Sequence, residues 1–202
     1  MKTSKQQQLL AAINALPPGS VVVISDFTDL AEPKTISKML TRLSSEGTIE
    51  KVMRSLFWKP EENQKGPRPD DVANALAREN NWYLAPSGYT ALHIMGLENE
   101  VPDVWTYVTS GTYRRYSYGG IEISFTHTNW NFFSAMSDKT KLLVQCLKAY
   151  GKEKLSEEKL KNVLKKCKDF EWKNVLQETK NITVWISEAI LLLFALKHGG
   201  IK

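Results

Sequence analysis

The residue types that most often do chemistry are sparse in this chain. The three histidines, His93, His127 and His198, are scattered, and none lies in a metal-ligand spacing with Cys, Asp or Glu. Cys146 and Cys167 form no C-x-x-C pair. No metal site and no cofactor is expected. Ser87 in "APSGYTA" is not the centre of a G-x-S-x-G elbow and reads as a helix cap rather than a nucleophile. Asp70 and Asp71 are adjacent, so they diverge around a helix and make a poor acid–base pair. There is no phosphate-binding glycine loop. Catalysis is not expected. An enzyme acting on RNA or DNA would have only the histidines and the run "YRRYSYGG" behind it.

Binding chemistry is better represented. In "EPKTISKMLTRLSSEG", Glu32 to Gly47, helical spacing of about 100° per residue collects Ile36, Met39, Leu40 and Leu43 on one side. Lys34, Ser37, Lys38, Thr41, Arg42 and Ser45 fall on the other, with no carboxylate among them; Glu46 lies at the edge of the stripe. Cations meet phosphates or guanine edges in a major groove, and short hydroxyls permit close approach. Recognition helices use mainly their N-terminal half for bases, which puts the burden on Lys34, Ser37, Lys38 and Thr41. The plainer reading of the same face is a solvated helix surface. In "YRRYSYGG", three tyrosines interleave with Arg114 and Arg115, a pattern that can grip single-stranded nucleic acid by stacking and charge. Strand alternation splits the pattern over two faces, so an exposed strand is preferred. Arg114 and Arg115 are kept as a secondary contact to nucleic acid or a partner.

The elements that position these residues follow from local signals. A helix over Lys5–Leu16 stops at Pro17-Pro18-Gly19. "VVVI" suits a buried strand, and Ser25 would cap a short helix over Asp26–Ala31. Pro33 fits the first turn of the next helix, and Gly47 supplies its left-handed stop. "TIEKV" and "LFWK" are two strands joined through Met53-Arg54-Ser55, with Lys51 and Arg54 flanking the tip. This is the element order of a winged helix-turn-helix. Then come a helix over Asp70–Asn80, the extended "WYLAP", a helix over Gly88–Met95, and three strands. Ser110-Gly111 would turn the first strand pair and Gly119-Gly120 the second. Helices are expected near Asp138–Tyr150, Glu157–Lys168, Trp172–Thr179 and Thr183–Lys197.

The expected fold class is α+β. It comprises an N-terminal winged helix-turn-helix over residues 1–62, a middle α+β unit over 66–135 with a three-stranded antiparallel sheet, and a C-terminal helical bundle over 136–202. The charge agrees with three units. The formal net charge is +5 over 202 residues, and runs +2, −3 and +6 over residues 1–66, 67–136 and 137–202. Alone, such a modest basic excess favours nucleic acid only weakly. Two distant cysteines suit a reducing compartment, and no apolar run approaches the roughly 20 residues of a membrane span. A cytoplasmic protein with no membrane partner is expected.

The segment from Pro67 to Thr128 resembles the AbiEi-type antitoxins of bacterial abortive-infection systems and their AbiEi-like transcriptional regulator relatives. The motifs are Ala75-Leu76-Ala77, Pro86-Ser87-Gly88, Gly96-Leu97, Val101-Pro102, Thr109-Ser110-Gly111 and Phe125-Thr126-His127. "LTRLSSEGTIEKVMRSLFWKP" is similar to that family's winged helix. The resemblance covers about residues 1–130. It implies an autorepressor that binds operator DNA of its own toxin–antitoxin operon and neutralises a nucleotidyltransferase-like toxin. DNA contact is carried onto Lys34, Ser37, Lys38, Thr41 and Arg42 of the helix and Arg54 of the wing. The alternative is a protein-interaction module that binds a toxin or a phage component and uses the winged helix only as a scaffold.

Overall fold

The computed structural model describes residues 4–128 and 135–199. Helix α1 (Lys5–Ala15) begins at Ser4, whose hydroxyl accepts the Gln7 N–H while the Gln7 side chain accepts the Ser4 N–H. That reciprocal cap satisfies two of the donors every helix start leaves open. The buried strand β1 (Val21–Val23) follows the Pro17-Pro18 break. The short helix expected at 26–31 is instead a 3₁₀ turn at Ile24–Phe27. Its start is capped by the Asp26 carboxylate, which accepts the Val23 N–H at 2.9 Å, and not by Ser25.

Helix α2 (Pro33–Ser45) has Pro33 in its first turn and buries Ile36, Leu40 and Leu43. Gly47, at φ +78°, closes it. The Gly47 N–H donates to Ser44 O and the Thr48 N–H to Leu43 O, so two end carbonyls are satisfied. Strands β2 (Glu50–Met53) and β3 (Leu56–Trp58) pair with Met53 opposite Leu56, leaving Arg54-Ser55 as the turn. The three-stranded sheet has the order β1-β3-β2, with both pairs antiparallel. Leu9 and Ile13 of α1, the buried stripe of α2, Val22, Ile49 and Phe57 form one core. Each such aliphatic residue withdrawn from water contributes roughly 1.5–3 kcal/mol.

Helix α3 (Pro69–Glu79) is fastened to the 3₁₀ turn and to β1, an edge strand of that sheet. Arg78 donates to both Asp26 carboxylate oxygens, at 3.1 and 3.2 Å, and to Val21 O at 2.9 Å. Glu79 accepts the Ser25 N–H at 3.0 Å. These side chains occupy backbone groups that would otherwise invite another strand.

A second sheet follows. Strand β4 (Leu84–Pro86), helix α4 (Gly88–Ile94) and strands β5 (Val104–Thr109), β6 (Arg114–Tyr118) and β7 (Ile121–His127) occur in that chain order. The sheet has four strands, not three, and its order is β4-β5-β7-β6. It is mixed rather than wholly antiparallel. β4 pairs antiparallel with β5, Leu84 opposite Thr109. Ser110-Gly111 therefore does not turn β5 onto β6. Ser110 exchanges two bonds with Tyr83 instead, accepting its N–H on the hydroxyl and donating its own N–H to Tyr83 O. The Gly111 N–H donates to Thr109 Oγ1. The chain is thus held at the end of β4, and β7 takes the place beside β5. Gly119 and Gly120, at φ +52° and +81°, make the β6–β7 hairpin turn that needs two left-handed residues. Ser87 precedes α4 without a side-chain cap bond; its carbonyl accepts the Thr106 hydroxyl at 2.8 Å.

Helices α5 (Asp138–Tyr150), α6 (Glu157–Lys166), α7 (Trp172–Glu178) and α8 (Val184–Lys197) follow the expected spans closely. With α4 they enclose a core of Leu92, Leu143, Leu147, Val163, Trp172 and Ile190. The architecture is α+β, with eight α-helices and two sheets among the described residues. The chain divides into two compact units. One is Met1–Trp82 with Tyr116–Ile123, and the other is Tyr83–Arg115 with Ser124–Lys202. No described helix is long and apolar enough to cross a membrane.

Candidate nucleic-acid interface

The buried stripe of α2 fixes its rotation about its own axis, so the opposite face must meet solvent. Lys34, Lys38, Thr41 and Arg42 are exposed and Ser37 is half-buried. Helical spacing brings all five together. Their availability differs. Lys34 and Lys38 have no hydrogen-bond or ion-pair partner among the described residues, so their charges are open to a ligand. Arg42 is engaged. Its Nε donates to Glu46 Oε1 at 2.8 Å and its Nη1 to Gln6 Oε1 at 3.4 Å. The Thr41 hydroxyl donates to Ser37 O at 2.8 Å and the Ser45 hydroxyl to Arg42 O at 2.7 Å. Such back-bonds use the hydroxyl hydrogen but leave oxygen lone pairs free to accept. The face is therefore strongest at its N-terminal half, where two free lysines stand four residues apart.

The β2–β3 hairpin lies in the same unit. Lys51 is exposed on β2 and Arg54 is exposed in the turn. Ser55 follows at φ +66°, a conformation that L-residues adopt only in tight turns. Lys51 also lines a hollow of about 410 Å³ with Lys65, Trp58 and Tyr118. Lys65 lies between the first two units expected from the sequence, where no helical or strand pattern draws attention to it. Sequence reasoning also passed over Gln6, whose role depends on how α1 lies beside α2; no local pattern signals it.

Arg114 and Arg115 are exposed at the start of β6, next to Tyr113, which is 72% exposed. Along the strand Tyr116 is half-buried and Tyr118 buried. The Tyr118 hydroxyl donates to Pro67 O at 3.2 Å, and burial, helped by Asp71, holds this phenol well above the usual tyrosine range. The last tyrosine of "YRRYSY" is therefore a packing residue, not a stacking platform.

The histidines have structural roles. The His93 ring meets Trp105 edge-on at 5.5 Å, and His127 Nδ1 lies 2.6 Å from Gly111 O, bracing the loop after β5. His198 Nδ1 lies 2.9 Å from Phe194 O. Among the described residues no three His, Cys, Asp or Glu side chains gather as a metal site. Cys146 and Cys167 are free and buried. Burial pushes both thiols up, Cys167 to about 12 against a small opposing pull from Lys197. Neither is an activated nucleophile.

The chain matches a family model over residues 8–175, most of its length, and belongs to that family, which is described only as a family of unknown function (DUF6088). No curated protein matches it.

Proposed function

We propose that this DUF6088 chain is a cytoplasmic, double-stranded DNA-binding regulator. In this reading α1 to β3 form a winged helix-turn-helix, α2 enters the major groove, and the β2–β3 turn is the wing. The observation that carries the reading is the N-terminal half of α2. Lys34 and Lys38 project free of any described acid from a helix locked in place by Ile36, Leu40 and Leu43. Base readout falls to Lys34, Ser37 and Lys38, while Lys51 and Arg54 hold phosphates. The resemblance to AbiEi-type antitoxins supports the more specific role of an operon autorepressor that neutralises a nucleotidyltransferase-like toxin.

The test is a mobility shift of the chain's own promoter duplex at fixed salt. Lys34→Glu with Lys38→Glu should abolish the shift while circular dichroism stays unchanged. An unaltered shift would remove α2 from the interface. Co-expression with the neighbouring nucleotidyltransferase-like gene, where one is encoded, tests the antitoxin role by rescue of growth.

A second reading has one observation in its favour. Arg42, Thr41 and Ser45 are all bonded within the protein, as they would be on a scaffold that never meets DNA. In that case the chain acts as a protein-interaction module. Capture of the co-expressed toxin by a chain that shifts no duplex would decide for it.

A further inference from the structure

A separate hollow lies among the C-terminal helices. It has a volume of about 690 Å³ and sits between the loop after α6, the start of α7 and the end of α8. Three aromatic rings build it. Phe170 and Phe194 each stand with ring centroids 6.4 Å from Trp172, tilted at 37° and 53°. Phe170 and Phe194 are only half-buried, so they present apolar ring surface to the hollow.

Basic groups surround the rings. Lys168, Lys173 and Lys197 line the hollow together with His198, against two acids, Asp169 and Glu171. Lys197 Nζ lies 5.7 Å from the Trp172 ring centroid, held by a cation–π contact and not by a carboxylate. The His198 ring stacks on Phe194 at 4.3 Å. Phe194 O can only accept, so Nδ1 of His198 carries the proton in that bond, and Nε2 of the neutral ring is left as an acceptor. Trp172 itself is only 4% exposed and backs the two phenyl rings.

We propose that this hollow binds a mononucleotide. The base would lie on Phe170 or Phe194 and the phosphate between Lys173 and Lys197. Rings alone would suit any apolar ligand and lysines alone any anion. Ring faces interleaved with unpaired cations select a molecule that carries both an aromatic plane and a phosphate. The site does not depend on the DNA-binding reading, since none of its residues lies on α2 or the β2–β3 hairpin.

The test is titration calorimetry of the full chain with AMP, adenosine and inorganic phosphate separately. AMP is expected to saturate at one site per chain, with adenosine and phosphate each at least about tenfold weaker, because each supplies half of the recognition. Lys197→Ala, an exposed change that leaves the core intact, should weaken AMP about tenfold, and Lys197→Arg should restore most of it. Lys173→Ala gives a second reading if Lys197→Ala fails to fold. Three results would each overturn the proposal: no saturable AMP binding, AMP binding untouched by Lys197→Ala and Lys173→Ala alike, or phosphate binding as tightly as AMP. The last would mark a plain anion site.

Discussion

If α2 and the wing contact DNA as proposed, Lys38→Ala should change the salt dependence of binding by a calculable amount. Four exposed cations on this surface have no hydrogen-bond or ion-pair partner among the described residues: Lys34, Lys38, Lys51 and Arg54. Arg42 is left out because Glu46 and Gln6 already hold its guanidinium. Each phosphate neutralised releases counterions and contributes a slope of about −0.9 to log K against log salt, so four contacts give about −3.6 per chain. Between 50 and 200 mM salt, the wild-type affinity should then fall about 150-fold. Lys38→Ala removes one contact, the slope becomes about −2.7, and the fall shrinks to about 40-fold. Fluorescence anisotropy of a labelled promoter duplex over that salt range measures both numbers, and thermal melting checks that the variant is folded. An exposed lysine contributes little to stability, so the melt should not move. The reasoning fails if the slope of Lys38→Ala equals that of the wild type. It fails differently if the slope drops by two or more, because a single side chain cannot neutralise two phosphates.

Further outcomes follow from particular contacts. Glu46→Ala should strengthen duplex binding about two- to tenfold at low salt by releasing Arg42 and deleting an acid beside the groove, as anisotropy would show; the exposed ion pair it breaks is worth under about 1 kcal/mol. Arg78→Ala should lower stability by about 1–2 kcal/mol in urea unfolding, because three hydrogen bonds go but the side chain is half in water. Asp26→Ala should couple to it in a double-mutant cycle while also losing the Val23 cap. Tyr118→Phe tests the raised phenol. The folded phenol stays protonated above about pH 10, where the unfolded one ionises, so wild-type stability should fall relative to the variant as pH rises past that point. The two thiols should resist iodoacetamide at pH 8 until denaturant is added, since both are buried and held protonated. Fast labelling of the native chain would contradict the packing around α5 and α6.

What could be read from the sequence was set by local chemistry. Pro33 and Gly47 mark both ends of α2 because each acts through its own φ angle, and no distant neighbour is needed. Gly119-Gly120 gives the β6–β7 turn for the same reason. Helices α5 and α6 are legible because their apolar residues repeat at the helical period and Ser137 and Ser156 accept backbone N–H groups at their starts; α8 is legible instead as an apolar run too long for a strand. The order of the second sheet was not legible. Whether β5 is followed in space by β6 or by β7 is decided by long-range pairing and by Tyr83, 27 residues away from the Ser110 it holds. The clip between Arg78 and Asp26 joins residues 52 apart, so neither side chain announces the other.

The same distinction governs the candidate interface. A helical wheel places Lys38 and Arg42 on one face with equal standing, because it records charge and direction only. The fold separates them. Glu46 is one turn further along α2 and Gln6 comes from α1, and together they convert Arg42 from a free cation into a brace between two helices. Lys38 has no such neighbour among the described residues. Affinity for a polyanion depends on charges that are free to exchange their hydration and counterions for a phosphate. A charge already spent on an internal carboxylate must first be released. The comparison of Lys38→Ala with Glu46→Ala therefore separates two ideas that the sequence merges, the presence of a cation on a surface and its availability there. Binding weakened by the first substitution and strengthened by the second would make α2 a reading helix with a restrained C-terminal half. Loss in both would mean that Glu46 holds Arg42 in the posture the DNA needs.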